Sequence, residues 1–302
     1  MGKKIYPELA VAVASAAWGL FWIPLRAFNR NGLPSSWAVC AQFLAPLVVL
    51  LPWALVRALR KKPTGIGQYR TGLLVGCAVT LYLESLLLTT VARSLILFYL
   101  MPTWATVLEV AVMHRPLTRI RILSLGLGIA GLLVLIVNNG LLSVSLNLGD
   151  ALALLSGILF SFGALGIRRT AEASLFEQLF SFFLFGSLAA CCIVLLPLLP
   201  ECGPPAWSQA ARLAPWLLLM AVGFLIPVMS GIYWGSRRVN PGRLGILLQI
   251  EAVVGILSAA VLAGEAFGFR QTLGAVLVIG AGLIEVLANQ GMASEGERSP
   301  AR

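Results

Sequence analysis

The chain has 302 residues, of which 59% are apolar and only 11% charged, with a mean hydropathy of +0.92. Soluble domains carry charge on about a quarter of their residues, so this composition excludes an ordinary soluble protein. The formal net charge of +10 would suit nucleic acid, but the basic residues gather in short linkers between apolar runs, which excludes that class and points to a bilayer.

Apolar runs recur along the whole sequence at about 20 residues, the length that crosses a hydrocarbon core roughly 30 Å thick. They are rich in Leu, Ala and Gly and lack the alternation of a membrane barrel, so they predict helices. Ten spans are expected, at residues 9–28, 36–56, 71–91, 95–113, 120–138, 149–167, 176–198, 213–234, 243–263 and 271–289. The first opens like a secretory leader, "MGKKIYPELAVAVASAAWG", but its apolar run continues to Phe28, so we read it as a retained helix.

Ser15, Trp18, Trp22 and Arg26 recur on one face of that first helix, with Arg26 placed either at an interface or toward a substrate carboxylate. The second span holds Gln42, the third Tyr82 and Glu84, and the fourth Tyr99, each able to line a polar cavity or bond a neighbouring helix. The ninth, inside "RLGILLQIEAVVGILSAAVLAGE", places Gln249 and Glu251 near its centre, about 200° apart around a helix. A charge at such a depth costs about 2.5–3.5 kcal/mol on insertion scales, so Glu84 and Glu251 are expected to face water, a partner or a proton. Glu265, after Gly264, is expected to cap or offset a helix end. Residues 291–302 form a polar tail expected to be disordered.

With ten spans and a cytoplasmic N-terminus, 17 of the 22 basic residues fall on the inner side, and only Arg26, Arg30, Arg93, Arg212 and Arg270 on the outer. Both termini are therefore expected in the cytoplasm. The five cysteines show no framework or metal spacing, and the lone His114 has no partner for a nucleophile–base pair. No phosphate-binding loop of the G-x-x-x-x-G-K-[ST] type is present, so neither an enzyme nor a nucleotide-driven pump is expected, and no cofactor or metal.

Shifting the chain by 149 residues lays the segment from Leu95 on that from Leu244, with Arg121 on Arg270, Gly131 on Gly280 and Pro102 on Glu251. Five helices per copy is an odd number, so the copies enter the membrane from opposite sides. The expected architecture is all-α, with one five-helix repeat at 1–144 and an inverted one at 145–290. Inverted repeats of this kind place a solute site near the midplane, between halves that rock.

The stretches "AAWGLFWIPLR", "LFYLMPTW", "GDALALLSGILFSFGAL" and "AGEAFGFRQTLGAVLVIGAGLI", in this order and duplicated, resemble the drug/metabolite transporter superfamily, in particular bacterial EamA-type carriers. The resemblance covers residues 8–288 and is strongest to exporters of aromatic and neutral amino acids. It implies a multi-pass protein of the bacterial cytoplasmic membrane that exports small organic solutes, amino acids among them, by alternating access. No obligate protein partner is implied. Trp18, Gln42, Tyr82, Glu84, Tyr99, Gln249 and Glu251 are then the candidate solute-binding residues, with Glu84 and Glu251 also able to cycle a proton. Two departures stand out: "HRP" replaces the usual Gly-Glu pair at the first repeat's corner, and Glu251 stands where proline is usual. A carrier of phosphorylated or nucleotide-linked sugars is the alternative within the superfamily, and a membrane enzyme the alternative outside it.

Overall fold

The computed structural model describes residues 6–59, 66–111, 118–138, 143–144, 146–169, 173–196, 203–239, 241–265 and 268–296. The "HRP" corner with His114, and residues 297–302 of the tail, lie outside the described residues. The helices are α1 (Pro7–Gly19), α2 (Trp22–Arg30), α3 (Ser35–Leu59), α4 (Ile66–Leu88), α5 (Val91–Phe98), α6 (Met101–Ala111) and α7 (Arg119–Ile136). After them come α8 (Leu148–Arg169), α9 (Leu175–Leu195), α10 (Trp207–Met220), α11 (Ile226–Ser236), α12 (Pro241–Leu248), α13 (Ile250–Leu262) and α14 (Phe269–Gly296). Between the repeats, Val137 and Asn138 pair antiparallel with Val144 and Ser143. Among the described residues, seven helical stretches are long and apolar enough to cross a membrane, and Leu148–Ala164 and Phe269–Ile284 are shorter apolar helices.

A helix, or two in line, occupies each of the ten apolar intervals, but three expected single helices are broken. The first span divides at Leu20–Phe21, the fourth at Tyr99–Leu100 and the ninth at Gln249. Proline accounts for the first two, because its ring clashes with the carbonyl four residues back. Pro24 acts on Leu20 and Pro102 on Phe98. Pro227 acts likewise on Gly223, where the rod from Trp207 to Ser236 loosens into a π-helical turn, Ala221–Leu225. The break at Gln249 has no proline, since Glu251 stands in its place. The last helix, α14, is drawn to Gly296.

Closely packed helix pairs join one repeat to the other. A Cβ on Gly76 of α4 would lie 2.7 Å from the Gly186 backbone nitrogen of α9, and one on Gly19 of α1 would lie 2.6 Å from the Glu251 carbonyl of α13. Only glycine permits backbones to approach so closely. Phe43 of α3 packs on Phe182 and Phe183 of α9, and the Ser124 hydroxyl of α7 donates to the Ala281 carbonyl of α14 at 2.8 Å. The repeats are interleaved.

Contacts between linkers sort by end, here named outer and inner after the charge asymmetry. Arg26 reaches Glu265 and Thr89, Arg93 reaches Asp150, and Arg212 reaches Asn31 at the outer end. Arg57 pairs with Glu177, Arg237 donates to the Ala173 carbonyl, and Arg243 lies 3.8 Å from Glu8 at the inner end.

Candidate functional site

Where the two broken spans cross, the Glu251 carboxylate is gripped by two hydroxyls from the other repeat. Tyr82 of α4 donates to its Oε1 at 3.0 Å, and Tyr99, at the α5–α6 break, reaches its Oε2 at 2.9 Å. The Tyr99 hydroxyl also donates to the Leu248 carbonyl at 2.6 Å. Leu248 is the repeat equivalent of Tyr99, 149 positions on. Phe98 backs the pair, stacked on Tyr82 at 4.6 Å and edge-on to Tyr99 at 5.4 Å.

Glu251 is 7% exposed and lies in the first turn of α13 rather than the middle of a continuous helix. That is favourable, because the free amides and dipole of a helix N-terminus stabilise a negative charge. A phenol carries one proton. Tyr99 therefore faces two acceptors with one hydrogen, and the row Glu251 Oε2, Tyr99 Oη, Leu248 O can take up one more proton without losing a bond. With the carboxyl protonated, Glu251 donates to Tyr99 and Tyr99 to Leu248. The arrangement serves both an ion-pairing carboxylate and a neutral acid.

None of the hydrogen bonds that hold this cluster comes from the other candidate residues. Gln249 turns to the opposite side, against Pro102 and Gly282, and its Oε1 has no hydrogen-bond partner among the described residues. Glu84, two positions beyond Tyr82, faces α3, where the Ser36 hydroxyl donates to its Oε2 at 3.2 Å while its Oε1 has no such partner. Gln42 is buried, and both its amide atoms lack a hydrogen-bond partner among the described residues. Trp18 stacks on Phe21 at 5.0 Å, and Phe21 on Phe224 at 6.0 Å.

Arg26 does not wait for a substrate carboxylate. It donates to Glu265 at 2.8 Å and to the Leu86 and Thr89 carbonyls, both at 3.1 Å. Glu265 in turn accepts from the Val91 and Ala92 amides at 3.0 and 3.3 Å, so it caps α5 rather than the helix that follows it. Gly264 permits this turn with a left-handed φ of 62°. Beside this clamp, Asp150 accepts from Arg93, Thr89 and the Asn147 amide, and a cavity of about 550 Å³ opens between them. We expect Glu265→Ala to cost about 2 kcal/mol, since it leaves a guanidinium and two helix amides without their acceptor. Thermal unfolding in detergent measures it, and a shift no larger than that of an exposed control such as Ser208→Ala would count against the clamp.

The row is carried on broken helices from the two interleaved copies of a duplicated helical unit. Residues 6–137 and 147–286 each match the EamA-like transporter family, and the chain belongs to that family, within the drug/metabolite transporter superfamily. No curated protein matches it. A solved structure described as "Crystal structure of protein" is similar in fold, with a TM-score of 0.56 and 19% identity over 95% of this chain and 98% of that one.

Proposed function

We propose that the protein is a secondary transporter with ten membrane spans and cytoplasmic termini, residing in a bacterial cytoplasmic membrane. It exports small organic solutes, aromatic and neutral amino acids first among them, by alternating access. The observation that carries this reading is the Glu251 carboxylate, held by Tyr82 and Tyr99 where the two repeats cross. A charged amine can pair with it, an apolar side chain can lie on Phe98, and the spare proton position lets the same acid couple flux to a proton gradient. In this conformation the site is closed, as an alternating mechanism requires at one stage of its cycle.

Uptake of a labelled amino-acid panel into proteoliposomes, with and without a pH gradient, tests the reading. Saturable, counterflow-competent flux of one solute group is expected. Unsaturable flux would indicate a channel, and no flux of any amino acid would remove the substrate class. For orientation, a single cysteine at Ser143 in a cysteine-free background is expected to react from outside only. Labelling from the cytoplasm alone would overturn both the orientation and the inversion of the repeats.

A further inference from the structure

The helix pair joining the first and eighth spans is packed at its inner half and splayed at its outer half. Inward, Gly231 and Gly235 of α11 lie against Ala14 and Val11 of α1, where an added Cβ would come within 3.1 and 2.2 Å of them. Outward, beyond the π-helical turn, α10 leaves α2, and nothing lies within 4 Å of a Cβ built on Gly223. The repeat-equivalent pair, α4 with α8, is closed toward both ends, with Gly163 on Leu74 and Val75 and Gly149 on Leu88 and Thr89. The gap is thus a departure from the internal symmetry, and it leaves a cleft of about 580 Å³ lined by Pro24, Phe28, Leu213, Trp216, Leu219 and Phe224, among others.

Three features say what fills it. The cleft opens sideways, because Trp216 and Leu219 on its wall are 63% and 62% exposed on a helix long and apolar enough to cross the membrane. Its lining is apolar apart from Asn31 at the outer end. Next to Asn31 and Leu213 in sequence stand Arg30 and Arg212, both exposed, with the Arg212 guanidinium only 3.4 Å from the Asn31 carbonyl. An apolar slot capped by two cations at the level of the headgroups matches one ligand chemistry, a phosphate ester carrying a long hydrocarbon chain. The volume falls within the roughly 300–1,000 Å³ of small-molecule sites.

We infer that the cleft between α2 and α10 is a phospholipid site, with an acyl chain lying along Trp216 and Phe224 and the phosphate held by Arg30 and Arg212. The inference rests on the membrane-spanning reading of these helices. A chain lodged there props α10 away from α2. Closing this pair to match α4 and α8, as the symmetry of the repeats asks of the opposite access state, expels it. Lipid in the cleft therefore favours one access state and is an effector of transport.

The test uses the full-length protein in phosphatidylethanolamine vesicles doped with a phosphatidylglycerol that carries a diazirine on its acyl chain. Photolabelling is expected on the peptide spanning Leu213–Phe224 above the level on the lipid-facing residues Val253, Leu257 and Val261 of α13. Gly223→Trp fills the cleft and should abolish that excess. The exposed pair Arg30→Ala with Arg212→Ala leaves the cleft open and should also lose it, as should a diazirine diacylglycerol, which has no phosphate. Equal labelling of both faces, or equal labelling by the diacylglycerol, would reduce the cleft to ordinary boundary lipid and overturn the proposal. Label on α13 registers insertion in every case, so failure of this site is distinct from failure of the membrane-spanning reading.

Discussion

Glu251→Gln is expected to fold and insert normally and to lose transport. The amide copies the protonated acid: its Oε1 still accepts from Tyr82, and its NH₂ donates to Tyr99, which keeps its bond to Leu248. All hydrogen bonds of the row survive, so stability should change little, while the charge and the exchangeable proton are gone. Removing one partner of a buried charge pair costs about 2–5 kcal/mol, so binding of a cationic solute should weaken by roughly 30-fold or more. Two assays separate the roles of the acid. Lost counterflow assigns it to solute binding, whereas retained counterflow with lost gradient-driven flux assigns it to coupling. Wild-type behaviour in both would mean that Glu251 is a packed neutral acid and that the site lies elsewhere.

The second large effect is expected on stability. The Asp150 side chain is 0% exposed and accepts from Arg93 at 2.5 and 3.0 Å, from the Thr89 hydroxyl at 2.9 Å and from the Asn147 amide at 3.1 Å. Breaking a buried pair costs about 3–5 kcal/mol, and Asp150→Ala should fall near 3 kcal/mol because Arg93 keeps 20% of its side chain exposed. Denaturant titration in micelles measures the loss. Arg93→Ala, which strands the fully buried carboxylate, should be at least as damaging. A change below about 0.5 kcal/mol in either, typical of surface sites, would show that the outer junction is held by packing alone.

Hydropathy made the positions of the helices legible, because a span must be continuous and apolar whatever its neighbours are. The offset of 149 residues was legible for the same reason, and it pairs the breaks at Tyr99 and Gln249. The breaks themselves were harder to read. Pro24 and Pro102 offered a signal that their apolar surroundings masked, and the break before Glu251 has no signal in composition. Tyr82, Tyr99 and Glu251 stood out as polar groups at depth, but only the fold brings the three together. Glu84 looked equivalent to them and is not, since a two-residue step turns it about 200° from Tyr82, toward Ser36. The pairing of Arg26 with Glu265 spans 239 positions, and neither residue hints at the other. A backbone acceptor such as Leu248 is silent in any sequence, because every residue has one.

The hydroxyl that Tyr99 extends to Leu248 bonds to its own counterpart in the other copy, and Leu248 has no hydroxyl with which to return the bond. The pseudo-twofold is therefore handed at its axis. If the carrier alternates as proposed, its inward-open and outward-open forms are not mirror-equivalent in energy, even with identical solutions on both sides. A difference of one hydrogen bond, about 1 kcal/mol, rests the population roughly fivefold toward one form. This preference does not alter the final distribution of solute, which the gradients set. In the alternating cycle proposed above, it would let half-saturating concentration and maximal rate differ between the two faces. In Tyr99→Phe, the two faces should move toward parity.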